Sequence, residues 1–144
     1  MIPSGANLVR YYIDSNIFIA YLSKEEGYYS FSENTFKQLD KGAISGVFSS
    51  IMYSEVISIS KNPKSGEIIQ RFVDHFGKKL VEVPSDKNIC LLAAEIRAKH
   101  NIKLPDAIHL ASAIETKTDI FVTADKKLLG VAGKYMKTSS VSSE

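Results

Sequence analysis

Tyr11-Tyr12-Ile13-Asp14-Ser15-Asn16-Ile17-Phe18-Ile19 reads as the end of one strand and the start of one helix. Its apolar front half fits a strand buried on both faces. Asp14 stands where that run stops. Ser15 or Asn16 can then cap a helix carrying Ile17, Phe18, Ala20, Tyr21 and Leu22. In open α/β sheets, ligands gather outside the carboxyl ends of the strands. This strand therefore lifts a carboxylate out of the core to the usual place for chemistry.

The rest of the chain alternates in the same way. A polar break at residues 23–27 precedes a helix capped by Ser32, with Phe31 and Phe36 as a hydrophobic staple and Gly42 as its stop. Residues 46–50 predict a second strand. Ile51 to Ile59 is β-branched but predicts a helix, capped by Ser49 or Ser50 and ended by Asn62-Pro63. Ser65 can cap the next helix, whose stripe is Ile68, Ile69, Phe72, Val73 and Phe76, up to Gly77. Residues 80–84 form a third strand. Ser85 or Asp86 caps a helix with Ile89, Leu92, Ala93 and Ile96 inward. Pro105 suits a first helical position, ahead of a small-residue stripe at Ala107, Leu110, Ala111 and Ile114. Residues 120–123 are a fourth strand, a short helix runs from Lys126 to Gly130, and residues 135–138 are a fifth, edge strand. Strands alternating with helices predict an α/β fold with a mostly parallel four- or five-stranded sheet covered on both faces. Residues 1–144 are expected to form a single domain, with 1–9 as a lead-in and 139–144 as a flexible tail.

The totals narrow the class. A chain of 144 residues, 44% hydrophobic and 24% charged, suits a soluble domain with a real core. No apolar run approaches the ~20 residues of a membrane span, and no signal-peptide pattern opens the chain. Cys90 is the single cysteine, so no internal disulfide can form, and it is expected to be a small core residue. An intracellular, cytoplasmic protein without membrane contact is expected. Net charge is only +2. Setting four acids aside as one site leaves twelve acids against eighteen bases, an acidic hollow in a basic scaffold that suits a polyanion.

Those four acids are Asp14, Glu55, Asp106 and Asp125. Asp14 and Asp125 follow strands, Glu55 lies in the first turns after one, and Asp106 heads the small-residue helix. Two carboxylates 4 Å apart repel by roughly 4 kcal/mol at an effective dielectric near 20. Several together raise one another's pKa unless a cation intervenes. Hard divalent ions such as Mg²⁺ or Mn²⁺ prefer such oxygen ligands. His75, His100 and His109 show no zinc-like spacing. Each acid also has a plainer reading, as a helix cap, a turn former or an exposed helix residue. His109, one turn on from Asp106, is expected to be packed.

Tyr12-Ile13-Asp14-Ser15-Asn16, Ser54-Glu55-Val56, Leu104-Pro105-Asp106-Ala107-Ile108-His109-Leu110-Ala111-Ser112-Ala113 and Phe121-Val122-Thr123-Ala124-Asp125 occur in this order. Together they resemble the PIN-domain family, and within it the VapC-type toxin ribonucleases. The resemblance implies a Rossmann-like three-layer sandwich and a metal-dependent endoribonuclease using Mg²⁺ or Mn²⁺. It implies Asp14, Glu55, Asp106 and Asp125 as catalytic and metal-binding residues, with Asn16 and Thr123 orienting them. It also implies an RNA substrate, an antitoxin partner and a homodimer. Lys126 and Lys127 are either phosphate contacts or solvated. A non-catalytic RNA- or partner-binding module on the same fold is the alternative. A phosphoacceptor at Asp86 would leave Asp106 unexplained.

Overall fold

The structure is a computed structural model that describes residues 8–140. Five strands, β1 (Arg10–Ile13), β2 (Ser45–Ser49), β3 (Leu80–Val83), β4 (Ile120–Val122) and β5 (Lys137–Ser139), form one sheet in the order β3-β2-β1-β4-β5. Every pairing is parallel, with Tyr12 opposite Val47 on one side and Phe121 on the other. Parallel neighbours need crossovers, and helices supply them. These are α1 (Ser15–Leu22), α2 (Tyr29–Asp40), α3 (Ile51–Ile59), α4 (Ser65–Phe76), α5 (Lys87–His100), α6 (Leu104–Glu115) and α7 (Lys126–Ala132).

Strand side chains alternate between faces, and the core divides accordingly. Tyr12, Val47 and Phe121 point to one side and pack with α5, α6 and α7 through Ile89, Ala93, Leu110, Ala111 and Leu128. Ile13, Phe48 and Val122 point to the other and pack with α1 to α4 through Ile17, Phe18, Leu39, Met52 and Ile69. The result is the three-layer arrangement expected from the sequence. Gly46 in β2 keeps the second layer close, since a Cβ there would lie 3.0 Å from Leu80 Cδ1 and 3.2 Å from Leu39 Cδ1.

Several local expectations are corrected. Helix α2 starts at Tyr29, a turn before Ser32, because Tyr29 stacks on Tyr21 and its hydroxyl donates to Glu33. Ser32 is therefore inside the helix, its hydroxyl buried without a partner among the described residues. Residue 65 opens α4 but Lys64 holds the cap position. Pro105 is the second helical residue, not the first. Helix α7 passes through Gly130 to Ala132 and is closed by Gly133. Ser139, assigned to the tail, belongs to β5, where its carbonyl accepts from the Thr123 N–H. Cys90 is exposed, one position off the inward stripe of Ile89, Ala93 and Ile96. The lead-in through residue 7 and the tail from 141 lie outside the described residues.

Candidate active site

Strand β1 lies between β2 and β4, and the chain leaves its two neighbours in opposite directions. Its carboxyl end is thus the switch point of the sheet, where a crevice opens. Asp14 is placed there by its own backbone, whose N–H donates to the Val122 carbonyl and so extends the β1–β4 pairing by one residue. The residue is only 3% exposed.

Asp14, rather than Ser15 or Asn16, is the N-cap of α1. The Ser15 N–H donates to its Oδ1 at 2.8 Å. Thr123 Oγ1 donates to Oδ2 at 2.7 Å. The same hydroxyl accepts from Asn16 Nδ2 at 3.2 Å and from the Asp125 N–H at 3.1 Å, and Asn16 Oδ1 accepts from the Ala124 N–H. Asn16 and Thr123 therefore lock the β1 and β4 ends together around one carboxylate. Asp125 is also a cap, its Oδ1 accepting from the Lys127 and Leu128 N–H groups at the start of α7. A helix N-terminus favours an acid, so the structural and functional readings of these aspartates coexist.

Glu55 reaches the same end from α3. Its Oε1 accepts from Ser15 Oγ at 2.8 Å and from His109 Nε2 at 2.6 Å. His109 comes from α6 on the opposite layer, is fully buried, and lies 3.4 Å from Asp14 Oδ1 through the same nitrogen. Its Nδ1 meets the Tyr12 hydroxyl at 2.7 Å. His109 is packed, as expected, but its link to Glu55, Ser15 and Tyr12 is new. The one hint in the sequence is its i+3 spacing from Asp106, which puts both on one face of α6.

The charges settle unevenly. Burial pushes Asp14 up, against the opposing pull of His109 and Thr123. Burial also raises Glu55, but the hydrogen bond and charge of His109 more than reverse it, and Glu55 ends below its ordinary value. Burial disfavours a charged His109, yet Asp14 and Glu55 together hold it above its ordinary value. For Asp106 the pull of His109 is too weak to offset the rise. Burial first, then Asp14, Asp125 and Glu55, push it from 3.8 to about 6. Asp86, the rejected phosphoacceptor, caps α5 by accepting from the Ile89 N–H.

A raised folded pKa means that ionised Asp106 costs the folded state. That cost is absent below about pH 4, where the group is protonated folded and unfolded, and full above about pH 6. The shift corresponds to about 3 kcal/mol, which solvent screening at this half-buried group reduces to about 1–2. Without metal, Asp106→Asn should therefore melt about 2–8 °C above the parent at pH 7–8 and level with it at pH 4. Thermal melts in EDTA across that range measure it, and equal melting at pH 8 would remove the repulsion.

The profile of the PIN domain matches residues 11–134. The chain belongs to the PIN-domain family. All four acids of this PIN domain fall inside the matched span. Comparison with curated protein sequences gives no match. Among solved structures, this PIN domain is similar to a toxin–antitoxin complex from Klebsiella pneumoniae, at 19% identity and a TM-score of 0.66, covering 92% of this chain and 97% of that one. It is similar to VapBC2 from Rickettsia felis, bound to a DNA fragment from their promoter, at 20% identity and a TM-score of 0.68, covering 93% and 100%. It is similar to DNA-bound VapBC from Salmonella typhimurium at 16% identity and a TM-score of 0.63, covering 94% and 100%. At such identities the likeness is one of fold.

Does the donor set of this PIN domain fit a metal ion? Among the described residues, no three His, Cys, Asp or Glu side chains already surround one point at ligand distance. The chemistry of the donors does fit a hard divalent cation. Asp106 carries a carboxyl raised by burial and then by its neighbours' charge, with no hydrogen bond opposing that rise. Asp14 keeps a lone pair on each oxygen beyond the donors it already has. A cation reverses the sign of each of these repulsions. No described helix is long and apolar enough to cross a membrane.

Proposed function

We propose that this PIN domain is a metal-dependent endoribonuclease, of the VapC type, and the toxin of a toxin–antitoxin pair. The observation that carries the reading is the acidic cluster at the sheet's switch point, where burial first, and then the charges of Asp14, Asp125 and Glu55, push Asp106 up to about 6. Asp14 and Asp106 are the principal metal ligands, joined by Asp125, with Glu55 beside them. A bound Mg²⁺ or Mn²⁺ supplies the Lewis acidity for in-line attack of water on an RNA phosphodiester, leaving a 5′-phosphate and a 3′-hydroxyl. Thr123 and Asn16 fix the rotamer of Asp14, and Ser15 with His109 fixes Glu55. Lys126 and Lys127, exposed at the start of α7, are the candidates for phosphate contacts, although Lys127 Nζ also donates to the Asn101 carbonyl at 3.3 Å.

The likeness to toxin–antitoxin complexes supports an antitoxin as the protein partner. We take residues 1–144 as a single domain that works as a homodimer in the cytoplasm. The alternative is a binding module on the same fold without catalysis.

Incubation of the purified chain with a mixed RNA, with Mn²⁺ and with EDTA, decides between them. Internal cuts with 5′-phosphate ends, dependent on Mn²⁺, are the expected result. Binding of RNA without cleavage, unchanged by EDTA, would support the module instead.

A further inference from the structure

The cations of this chain are gathered unevenly. Between Glu95 and Asp106 the sequence carries Arg97, Lys99 and Lys103 and no acid. Between Asp125 and Glu144 it carries Lys126, Lys127, Lys134 and Lys137, again with no acid. All seven are exposed, and none forms an ion pair among the described residues.

The two segments meet in space. Lys127 Nζ donates to the Asn101 carbonyl at 3.3 Å, and His100 Nε2 meets the Tyr135 hydroxyl at 2.8 Å. The end of α5, the turn into α6 and the outer side of α7 therefore form one basic bank. It abuts the acidic cluster, because Lys103 holds the cap position of the helix that carries Asp106 and Lys126 follows Asp125 directly. Beside it, Ala94, Arg97, Ala98, Asn101 and Leu104 line an open hollow of about 410 Å³.

Two side chains in the bank are set for more than solvation. Arg97 Nε donates to the Ile102 carbonyl at 3.2 Å, which steadies the guanidinium, while its two terminal nitrogens have no partner among the described residues. Such a held fork suits a phosphate. Tyr135 spends its hydroxyl on His100, yet the residue is 40% exposed. An aromatic ring among unpaired cations is the pairing that holds a nucleic-acid strand, cations on the backbone and the ring on a base. An acidic protein segment would answer the charges but would give the ring no base to stack on.

We propose that an RNA strand held at the acidic cluster runs on over this bank, with Arg97, Lys103 and Lys127 on its phosphates and Tyr135 stacked on one of its bases. This rests on the endoribonuclease reading above and adds to it the side of the molecule over which the substrate lies. The strand leaves the cluster across α5 and α7, not across α1 and α3.

Binding is measured apart from cleavage. A labelled single-stranded RNA is titrated with the whole chain in EDTA, by fluorescence anisotropy, at several salt concentrations. Arg97→Gln, Lys103→Gln and Lys127→Gln should each lower the slope of log affinity against log salt by about 0.7, the share of one phosphate on a single strand. Tyr135→Leu should weaken binding about fivefold or more and leave that slope unchanged. Tyr135→Phe keeps the ring, loses the bond to His100, and should bind as the parent does. The double variant Lys41→Gln/Lys78→Gln removes two cations at the ends of α2 and α4, on the opposite layer, and should leave the slope as it was.

An unchanged slope in all three glutamine variants would overturn the proposal, as would an equal fall in the double variant. Parent-like binding by Tyr135→Leu would overturn it too, and would point to an acidic protein segment as the occupant of the bank. Should Tyr135→Leu fail to fold by circular dichroism, the three slopes decide. No binding by the parent in EDTA would also overturn it. Mn²⁺-dependent cutting by the parent is a separate measurement, so a failed bank and a failed nuclease are told apart.

Discussion

Asp14→Asn should lower Mn²⁺-dependent RNA cleavage by about a thousandfold or more, which corresponds to about 4 kcal/mol of lost transition-state stabilisation. The size follows from position. Asp14 is the acid at the centre of the sheet, almost wholly buried, and the one whose two oxygens are both oriented by neighbours. Asparagine keeps an oxygen for the Ser15 N–H, so the start of α1 is preserved. It removes the negative charge and loses an acceptor for Thr123. The fold should therefore survive, the relief of repulsion offsetting the lost hydrogen bond. Single-turnover cleavage of a labelled RNA beside a circular dichroism spectrum would measure both. Cleavage within tenfold of the parent would end the assignment of Asp14.

His109→Ala should act on stability first. It leaves the Tyr12 hydroxyl buried without its partner and Glu55 with Ser15 alone. Removing one member of a buried pair of this kind costs about 3–5 kcal/mol. At roughly 2–4 °C per kcal/mol for a chain of this size, the melting temperature should fall by about 6–20 °C. The loss should depend on pH. The folded pKa of His109 is raised, so its contribution is complete below about pH 6.5 and declines as pH rises through the folded value. The gap between parent and variant should be wider at pH 6 than at pH 9. Melts of both proteins at the two pH values test this, and a gap that grows toward pH 9 would contradict the pairing.

The sequence carried the architecture further than the wiring. Strand β1, the helix at Ile51–Ile59 and the placing of each of the four acids on its element were legible because each rests on local patterning, on apolar runs, caps and Pro or Gly stops. The partners of His109 were not. Tyr12 lies 97 residues away and Glu55 54 away, on the other layer, and no periodicity records contacts at that range. The early start of α2 was hidden for a similar reason, since stacking of Tyr29 on Tyr21 extends the helix where no capping residue announces it. Cys90 was misplaced because apolar neighbours in sequence are not neighbours in space on a helix, where one residue turns the side chain by about 100°. That Asp14 and Asp125 are themselves caps was legible as a possibility for each, but their convergence on Thr123 required the sheet.

Tyr12 and Asp14 leave the same strand two residues apart, one to brace an imidazole and one to meet it. Were β1 to dock one residue out of step, every side chain on it would change sides. The tyrosine would then abandon its histidine at the very moment the aspartate turned away. A mispaired molecule would thus lose the whole cluster at once rather than one member of it.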